Sequence, residues 1–275
     1  MTGLLVKISA ICFVLIALAV ACSHYDRAAR AYLAQAEMAY ETGNFPLAML
    51  KIDSLRILFP RALPEIRESI ELRQRVRMAE NVRHIAFADS ILVEKRTLFN
   101  EMLPLFYLVH DADLQDVGEF QPRVYPHSIS LNRSGLRAGV NEQGAFYIES
   151  VLVGNPIRHN KIRVSLRDGS FAETHPVTSE GFNHRFSTLD NSYEIVRYRG
   201  DAENGVAEFI TAFQNQPITV QFIGNRTTSL TLSNAEKQGI AQTFELSILI
   251  NEIERLEFER SRSKVLIRYL ESRQE

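Results

Sequence analysis

The pattern of apolar and polar positions changes several times along the chain and divides it into segments of different structure. After an apolar N-terminal run, residues 29–60 carry apolar side chains at helical spacing on either side of a break at Gly43-Asn44. Small alanines where the two helices would cross, the Gly-Asn turn and the closing Pro60 predict a tight αα-hairpin. One such hairpin cannot bury its own apolar face, so we expect it to stack on the segment that follows or on another molecule.

Two long segments have apolar residues at the helical period. The first extends from Pro64 to about Met102, with a proline near its start and no further glycine or proline before Pro104. The second covers residues 233–275, where Ser233 followed by Glu236 has the spacing of a capping box. The sequence therefore predicts two long amphipathic helices of similar length.

Between these helices, residues 105–232 change to the alternation that is typical of strands. Apolar and polar residues alternate over 161–167, and Asp168-Gly169 supplies a hairpin turn. The same alternation returns over 218–222. Further strands are predicted over 145–153, over 193–198 and at Ile129–Leu131, with one short helix over 206–213 that has Asp201 as its cap.

The C-terminal helix carries an apolar seam that suggests how the long helices are buried. The seam has 3-4-3 spacing and resumes after one interruption: Leu246, Leu249, Ile253, Leu256, Ile267 and Leu270. Arg260 and Ser263 fall on this seam and should weaken it. We expect the two long helices to pair antiparallel with the β-rich module at their shared end. The alternative is that both helices fold over the sheet as one compact unit.

These segments together predict an α+β fold. It has an N-terminal αα-hairpin, two long helices paired antiparallel, and an inserted, mainly antiparallel β module with one short helix. The predicted divisions are a signal segment at 1–21, the hairpin at 22–61, a long helix at 62–104, the β-rich module at 105–232 and the C-terminal helix at 233–275.

The N-terminal apolar run and the cysteine after it have the pattern of an address signal. Lys7 precedes an apolar stretch over 8–21, which is short for a membrane span, and the chain turns polar at Ser23. Small residues ending at Cys22 resemble the bacterial lipoprotein signal, which implies that Cys22 is lipidated and becomes the mature N-terminus. An ordinary cleaved signal and an uncleaved anchor are the alternatives. A serine rather than an aspartate after the cysteine implies the outer membrane, and the absence of an acidic run favours its periplasmic face.

The helical hairpin resembles a single tetratricopeptide repeat. The residues at that family's spacing are Tyr32, Ala36, Ala39, Gly43, Phe45, Ala48, Ile52 and Pro60. The inner face of the first helix in such repeats binds a partner peptide or helix. The resemblance therefore implies a candidate partner-binding face formed by Arg30, Leu33, Glu37, Tyr40 and Glu41. The alternative is that the hairpin simply covers the long helix that follows.

Charge and cysteine content narrow the classes of function. The formal net charge of −2 gives no electrostatic basis for binding nucleic acid. The two cysteines are Cys12, inside the apolar run, and Cys22. If the signal is removed and Cys22 is acylated, no free cysteine remains, which argues against a disulfide, a thiolate zinc site and a cysteine nucleophile. We therefore predict no cofactor and no metal.

The remaining candidates for chemistry are weak. His175 and His184, with Asp168, Glu173 and Glu180, form the densest group of potential metal ligands, although a polar strand end and loop explains them better. Adjacent residues of His110-Asp111-Ala112-Asp113 would point to opposite faces of a strand, which favours a solvated loop over a catalytic dyad. Gly135, Gly139 and Gly144 are assigned to turns rather than to a phosphate-binding loop.

The aromatic residues give little indication of a carbohydrate-binding site. Exposed tryptophan is the usual platform for sugar rings, and this chain has no tryptophan. Tyr147, Tyr193 and Tyr198 could replace it, but in alternating strands they are expected to pack the core.

The whole arrangement resembles a group of bacterial envelope lipoproteins. The resemblance rests on the signal ending at Cys22, the turn Gly43-Asn44-Phe45 and the strand-to-helix passage over 218–254, and it implies no activity. The sequence-based hypothesis is a non-enzymatic envelope lipoprotein that acts as an assembly or protein-interaction component. It would be membrane-bound through its lipid, with a protein partner or with self-association. The alternatives are a lipoprotein whose β module binds a glycan or peptide, and a hydrolase with an unrecognised site.

Overall fold

The computed structural model describes residues 24–110, 116–125, 133–178 and 181–272. The predicted signal with Cys22, the strand at Ile129–Leu131, Asp111, Asp113 and Glu180 lie outside these residues. The helices are α1 over 24–41, α2 Phe45–Leu58, α3 Leu63–Met102, α4 Val206–Ala212 and α5 Asn234–Glu271. The strands are β1 Phe106–Val109, β2 Glu119–Pro122, β3 Gly135–Asn141, β4 Phe146–Val153, β5 Lys161–Ser165, β6 Phe171–Glu173, β7 Asn183–Ser187, β8 Ser192–Arg199, β9 Thr219–Ile223 and β10 Thr227–Thr231. The predicted α+β class is confirmed.

The described chain forms two compact units. The helical unit contains the described residues up to Asp89 together with those from Phe258 onward. The β unit contains the described residues from Ser90 to Glu257. The division falls within α3 and within α5, so each long helix contributes one part to each unit.

In the helical unit, α1 and α2 form the predicted hairpin and stack on α3. Gly43 has a φ of 72°, the left-handed backbone that this turn needs, and the Asn44 side chain caps α2 by accepting from the Leu47 N–H at 3.2 Å. The three helices share one apolar cluster, in which α3 supplies Leu72 and Val76. Of the two predicted ways to bury the hairpin, stacking on the following helix is the one observed.

The β unit is built on two antiparallel sheets. The six-stranded sheet has the order β1-β2-β3-β4-β8-β7 and the four-stranded sheet has the order β10-β9-β5-β6. Residues of both sheets meet in one core, where Ile148 of β4 lies in the same cluster as Ile162 of β5 and Phe222 of β9. The alternation over 161–167 and 218–222 thus places every second residue in this core, as the sequence predicts.

The long helices run antiparallel in each unit. In the helical unit, Arg260 of α5 donates to Asp89 of α3 at 2.9 Å. In the β unit, Lys95 of α3 pairs with Glu252 of α5 at 2.6 Å. Within the β unit, α5 also packs against the six-stranded sheet, where the Phe244 and Phe146 rings lie 5.5 Å apart. Helix pairing and packing on the sheet, which the sequence offered as alternatives, therefore both occur along α5.

The start of α4 differs from the prediction. Asp201 lies in a short 3₁₀ turn and is not the cap, because the helix begins five residues later, at Val206. Gly205 has a φ of 78°, which redirects the chain into the helix. The side chain of Glu203 takes the capping role by accepting from the Gly205 N–H at 3.1 Å and from the Ala207 N–H.

Two of the three glycines assigned to turns lie in a strand instead. Gly135 and Gly139 belong to β3, and of the three only Gly144 lies in the turn between β3 and β4. Gly139 stands opposite Tyr147 of β4, and a Cβ at this position would lie 2.3 Å from the Tyr147 hydroxyl oxygen. The glycine is needed there for close approach between strands, not for a turn.

Candidate functional site

The face that the tetratricopeptide resemblance predicts for a partner contacts α3 through some of its residues. On α1, Arg30 and Glu41 are exposed, Glu37 and Tyr40 are half-buried and Leu33 is buried. Arg30 donates from Nε to Glu65 Oε1 at 3.0 Å, and an Arg75 guanidinium nitrogen lies 3.9 Å from a Glu37 oxygen. This is the packing expected if the hairpin covers the long helix. A change at Leu33 would disturb the core and would not report on a partner.

Two of the residues considered as metal ligands, Glu173 and Asp168, make other contacts. Glu173 accepts from Lys161 Nζ at 2.8 Å and from Arg163 Nε at 2.7 Å, and these hydrogen bonds hold the pKa of Glu173 below its ordinary value against the opposing effect of burial. Asp168 accepts from the Ser170 N–H at 2.9 Å within the β5–β6 turn. Among the described residues, no group of three His, Cys, Asp or Glu side chains is placed to hold a metal ion.

A hydrogen-bonded chain of three side chains, Ser150, His159 and Glu194, lies between the two sheets. Ser150 Oγ is 2.8 Å from His159 Nε2, and His159 Nδ1 is 2.7 Å from Glu194 Oε2. Ser150 lies on β4 and Glu194 on the neighbouring β8, whose register pairs Ser150 with Val196. This is the order of groups found in a nucleophile–base–carboxylate triad.

The protonation of this chain follows from its partners. Burial raises the pKa of Glu194, but hydrogen bonds from His159 and from the Arg158 backbone outweigh burial and hold that pKa below its ordinary value. The ionised carboxylate can only accept, so His159 carries its proton on Nδ1 and its Nε2 accepts from the Ser150 hydroxyl. Burial lowers the pKa of His159, and the contact with Glu194 offsets this only in part.

The same chain of groups is closed to solvent. Ser150 and His159 are 0% exposed and Glu194 is 1% exposed. The His159 ring packs edge-on against Phe222 of the other sheet, with centroids 5.4 Å apart. A nucleophile must be reachable by its substrate, and this hydroxyl is not. We therefore assign the three hydrogen-bonded side chains to the core, where they satisfy polar groups that the two sheets bury.

Sequence reasoning missed this chain because nothing in the local pattern distinguishes its members. Ser150 stands inside an apolar strand, and His159 is one of seven histidines. Only the register of β4 with β8 and the packing of the two sheets bring the three residues together. A glutamate on the inner face of a strand is the signal that could have pointed to it, since a buried carboxylate needs partners.

A second polar network crosses the outer face of the six-stranded sheet. Arg137 of β3, Glu149 of β4 and Arg197 of β8 stand directly opposite one another and form ion pairs. The Arg197 guanidinium also covers the Tyr147 ring at 3.9 Å, and Tyr147 donates to Glu119 at 2.9 Å. Two arginines and two glutamates balance in charge, so the network stabilises the sheet and leaves no net charge for a ligand.

The tyrosines considered for sugar binding are buried; Tyr198 lies in the core between the two sheets, as predicted, whereas Tyr147 lies in the polar network of the outer face. Tyr147, Tyr193 and Tyr198 are all buried. Burial raises the pKa of each Tyr147 and Tyr198 hydroxyl above its ordinary value. The exposed tyrosine cluster that a glycan-binding β module would need is not formed by these three residues.

An open groove lies between α3 and α5 in the helical unit. It has a volume of about 860 Å³. Its lining includes Asn81, His84, Phe87, Ser263, Val265 and Tyr269. Asn81 and Ser263 are buried, while Phe87, Val265 and Tyr269 are 62%, 58% and 51% exposed. Ser263, predicted to weaken the helix seam, thus lies in the wall of an open groove.

Comparison with protein-family models, curated proteins and solved structures finds no match. Within the described ranges, no helix combines the length and the apolar character needed to cross a bilayer. The apolar run that ends at Ala21 lies outside those ranges.

The groove is lined by both apolar and charged residues. Val265 and Tyr269 are four residues apart on α5, and Phe87 projects from α3. Side chains at such spacing lie on one helical face, so Val265 and Tyr269 are neighbours on α5. Glu80 and Glu259 add acidic groups to the lining, and Arg262 adds a basic one. The groove therefore combines exposed apolar side chains with charged groups of both signs.

Proposed function

We propose that the protein is a non-enzymatic lipoprotein of the bacterial cell envelope that acts as an assembly or protein-interaction component. Its anchor is a lipid on Cys22, and its location is the outer membrane with the chain facing the periplasm. Its partner-binding surface is the groove between α3 and α5, which takes an amphipathic helix of a partner protein.

The observation that carries the proposal is the exposure of apolar side chains along the groove. Phe87, Val265 and Tyr269 are each more than half exposed, although each lies beside a helix–helix seam where apolar groups are normally buried. Exposed apolar residues that line a concave surface are typical of interaction sites. An amphipathic partner helix would cover them through its own apolar face.

The anchor is supported by the N-terminal sequence. The apolar run, the small residues and Cys22 stand in the order of a lipoprotein signal, and the chain turns polar at Ser23. Several acyl chains would hold the protein at the membrane, since each buried methylene contributes about 0.8 kcal/mol. The closed state of the Ser150–His159–Glu194 chain supports a non-enzymatic role, because the described triad-like group offers no reachable nucleophile.

Site-specific photocrosslinking in intact cells tests the groove. A photoreactive amino acid at Phe87 or Val265 should capture one reproducible partner protein. The matched control is Val82, which is also on α3, is 54% exposed and does not line the groove. Equal capture from positions 82 and 87, or no capture from position 87, would count against the groove. If the crosslinks capture only further copies of this chain, the groove mediates self-association and does not bind a different protein.

Fractionation tests the anchor. The Cys22→Ala substitution should abolish acylation and move the protein from the membrane into the soluble envelope fraction. Mass analysis of the N-terminal peptide from the unchanged protein should show the added lipid. An N-terminal peptide of the unchanged protein that carries no lipid would refute the lipoprotein hypothesis, while the groove would still be judged by its own crosslinks.

A further inference from the structure

The turn between α2 and α3 carries an exposed apolar patch. Ile57 and Leu58 end α2 and Leu63 begins α3, and their exposed fractions are 77%, 52% and 69%. We call these three residues the turn patch. Apolar side chains so exposed are common singly, but three of them at one turn form a surface that water solvates poorly.

The core of the helical unit does not need the turn patch. Leu55, Phe59 and Ala62, which alternate with the patch residues along the chain, supply the inward-facing groups. The turn is held by its backbone, since the Phe59 N–H donates to Leu55 at 2.9 Å and the Ala62 N–H donates to Phe59 at 3.1 Å. The patch residues are therefore displayed on a fixed turn.

The start of α1 lies at this same end of the unit. The Tyr25 hydroxyl accepts from the Arg61 N–H at 3.1 Å, and the Tyr25 ring meets the Phe59 ring edge-on at 5.4 Å between centroids. Tyr25 follows Cys22 by three residues. The Cα atoms of Cys22 and Tyr25 are thus at most about 11 Å apart, because consecutive Cα atoms are separated by 3.8 Å. A lipid on Cys22 would bring this end of the unit to the membrane surface.

The charges around the turn suit a bacterial membrane. Between Asp53 and Glu65 the sequence contains two arginines, Arg56 and Arg61, and no acidic residue. Both arginines are exposed. Apolar side chains flanked by basic residues are the combination that binds the interface of a bilayer with anionic lipids.

We propose that the turn patch inserts into the lipid surface beside the anchor, with Arg56 and Arg61 at the level of the anionic headgroups. This inference rests on the lipid anchor at Cys22 proposed above. A second, non-covalent contact would fix the orientation of the helical unit on the membrane, which a lipid chain alone leaves free to rotate.

The test uses the acylated full-length protein, purified from membranes and reconstituted into vesicles of phosphatidylethanolamine and phosphatidylglycerol. Ile57→Cys is labelled with an environment-sensitive fluorophore, and quenching by lipids with brominated chains is measured. With Cys22 acylated and Cys12 removed with the signal, the introduced thiol is the one that reacts. The control is Met38→Cys, which is 65% exposed and lies at the other end of α1, about 20 Å from Tyr25 at 1.5 Å per residue.

Quenching should be several-fold stronger at position 57 than at position 38. Equal quenching at both positions, or none at position 57, would overturn the proposal. The proposal would also be overturned if lipids do not quench the fluorophore at position 57 while the same position is shielded from labelling in native membranes. In that case a protein, and not lipid, would cover the turn patch.

The outcomes separate this proposal from the one on which it rests. If Cys22 itself takes up the label, the anchor fails and the turn-patch proposal fails with it. If Cys22 carries lipid and position 57 is not quenched, the turn-patch proposal fails alone.

Discussion

At the scale of single residues, the Ser150–His159–Glu194 chain shows that hydrogen-bond order alone does not make a catalytic site. The distances match those of a triad, and the tautomer of His159 is the one that a general base requires. Access decides the role, because neither Ser150 nor His159 has any exposed surface. The chain is a buried polar network whose members depend on one another.

The first prediction concerns that dependence. His159→Ala removes the side-chain donor to Glu194, the acceptor for Ser150 and the ring that packs on Phe222. We expect it to lower the free energy of opening of the β unit by about 3 kcal/mol or more, because a buried carboxylate loses a charge-assisted partner. Hydrogen exchange of the β4 and β8 amides would measure the loss. The control His184→Ala removes an exposed histidine of β7 and should change it by less than about 0.5 kcal/mol.

The second prediction follows from the lowered pKa of His159. In the unfolded chain His159 takes up a proton as the pH falls through its ordinary value of 6.5, whereas in the folded chain it stays neutral to a lower pH. The unfolded state therefore binds more protons in this window, and stability must fall as the pH drops below about 6.5. Opening free energies of β4 amides measured across this range should show the decline, and His159→Ala should remove that part of it. An unchanged pH slope in the variant would assign the decline to another group.

At the scale of elements, the strands predicted best were those with strict alternation. β5 and β9 have one face in the core and one outside, so apolar and polar residues alternate along them and the sequence predicts both strands. β3 escaped prediction because Gly135 and Gly139 carry no side chain to show a period and were assigned to turns. β7 escaped because, apart from Asn183, its residues are exposed, which leaves no apolar face to recognise.

The candidate surfaces were less predictable than the elements. The groove depends on how two helix segments separated by more than 170 residues face each other, as at Asp89 and Arg260. The sequence marked Ser263 as a weak point of the seam but could not place it opposite Asn81 in an open groove. The turn patch was missed because leucines such as Leu58 and Leu63 are typical core residues. Only the fold shows that these two are exposed.

The third prediction concerns the capping box of α5, which the structure confirms. Glu236 accepts from the Ser233 N–H at 2.7 Å and from the Ser233 hydroxyl at 2.6 Å, and its other oxygen accepts from the Leu136 N–H of β3 at 3.1 Å. Glu236→Ala should cost about 2 kcal/mol, since it removes a cap and leaves a strand N–H without its acceptor. Ser233→Ala removes the cap alone and should cost about 1 kcal/mol. Equal losses in thermal unfolding would mean that the link to β3 contributes nothing.

At the scale of the whole molecule, the two units have separate cores. The cluster that joins α1, α2 and α3 has no residue in common with the cluster between the two sheets. Both proposed interaction surfaces, the groove and the turn patch, belong to the helical unit. Damage confined to the helical core should therefore affect interaction while the β unit keeps its structure.

The fourth prediction tests this separation with Leu72→Ala. Leu72 of α3 is fully buried against the hairpin, and its truncation should cost about 2–5 kcal/mol through lost burial and the cavity left behind. We expect faster hydrogen exchange in α1 and α2, loss of the crosslinks from position 87, and unchanged protection of β4 and β8.

Ile148→Ala is the reciprocal variant, since Ile148 is fully buried in the β-unit core. It should loosen β4 and β8 and leave the hairpin amides protected. If Leu72→Ala lowered the protection of β4 as much as that of α1, the two cores would be unfolding as one, and the interaction surfaces could not be assigned to the helical unit alone.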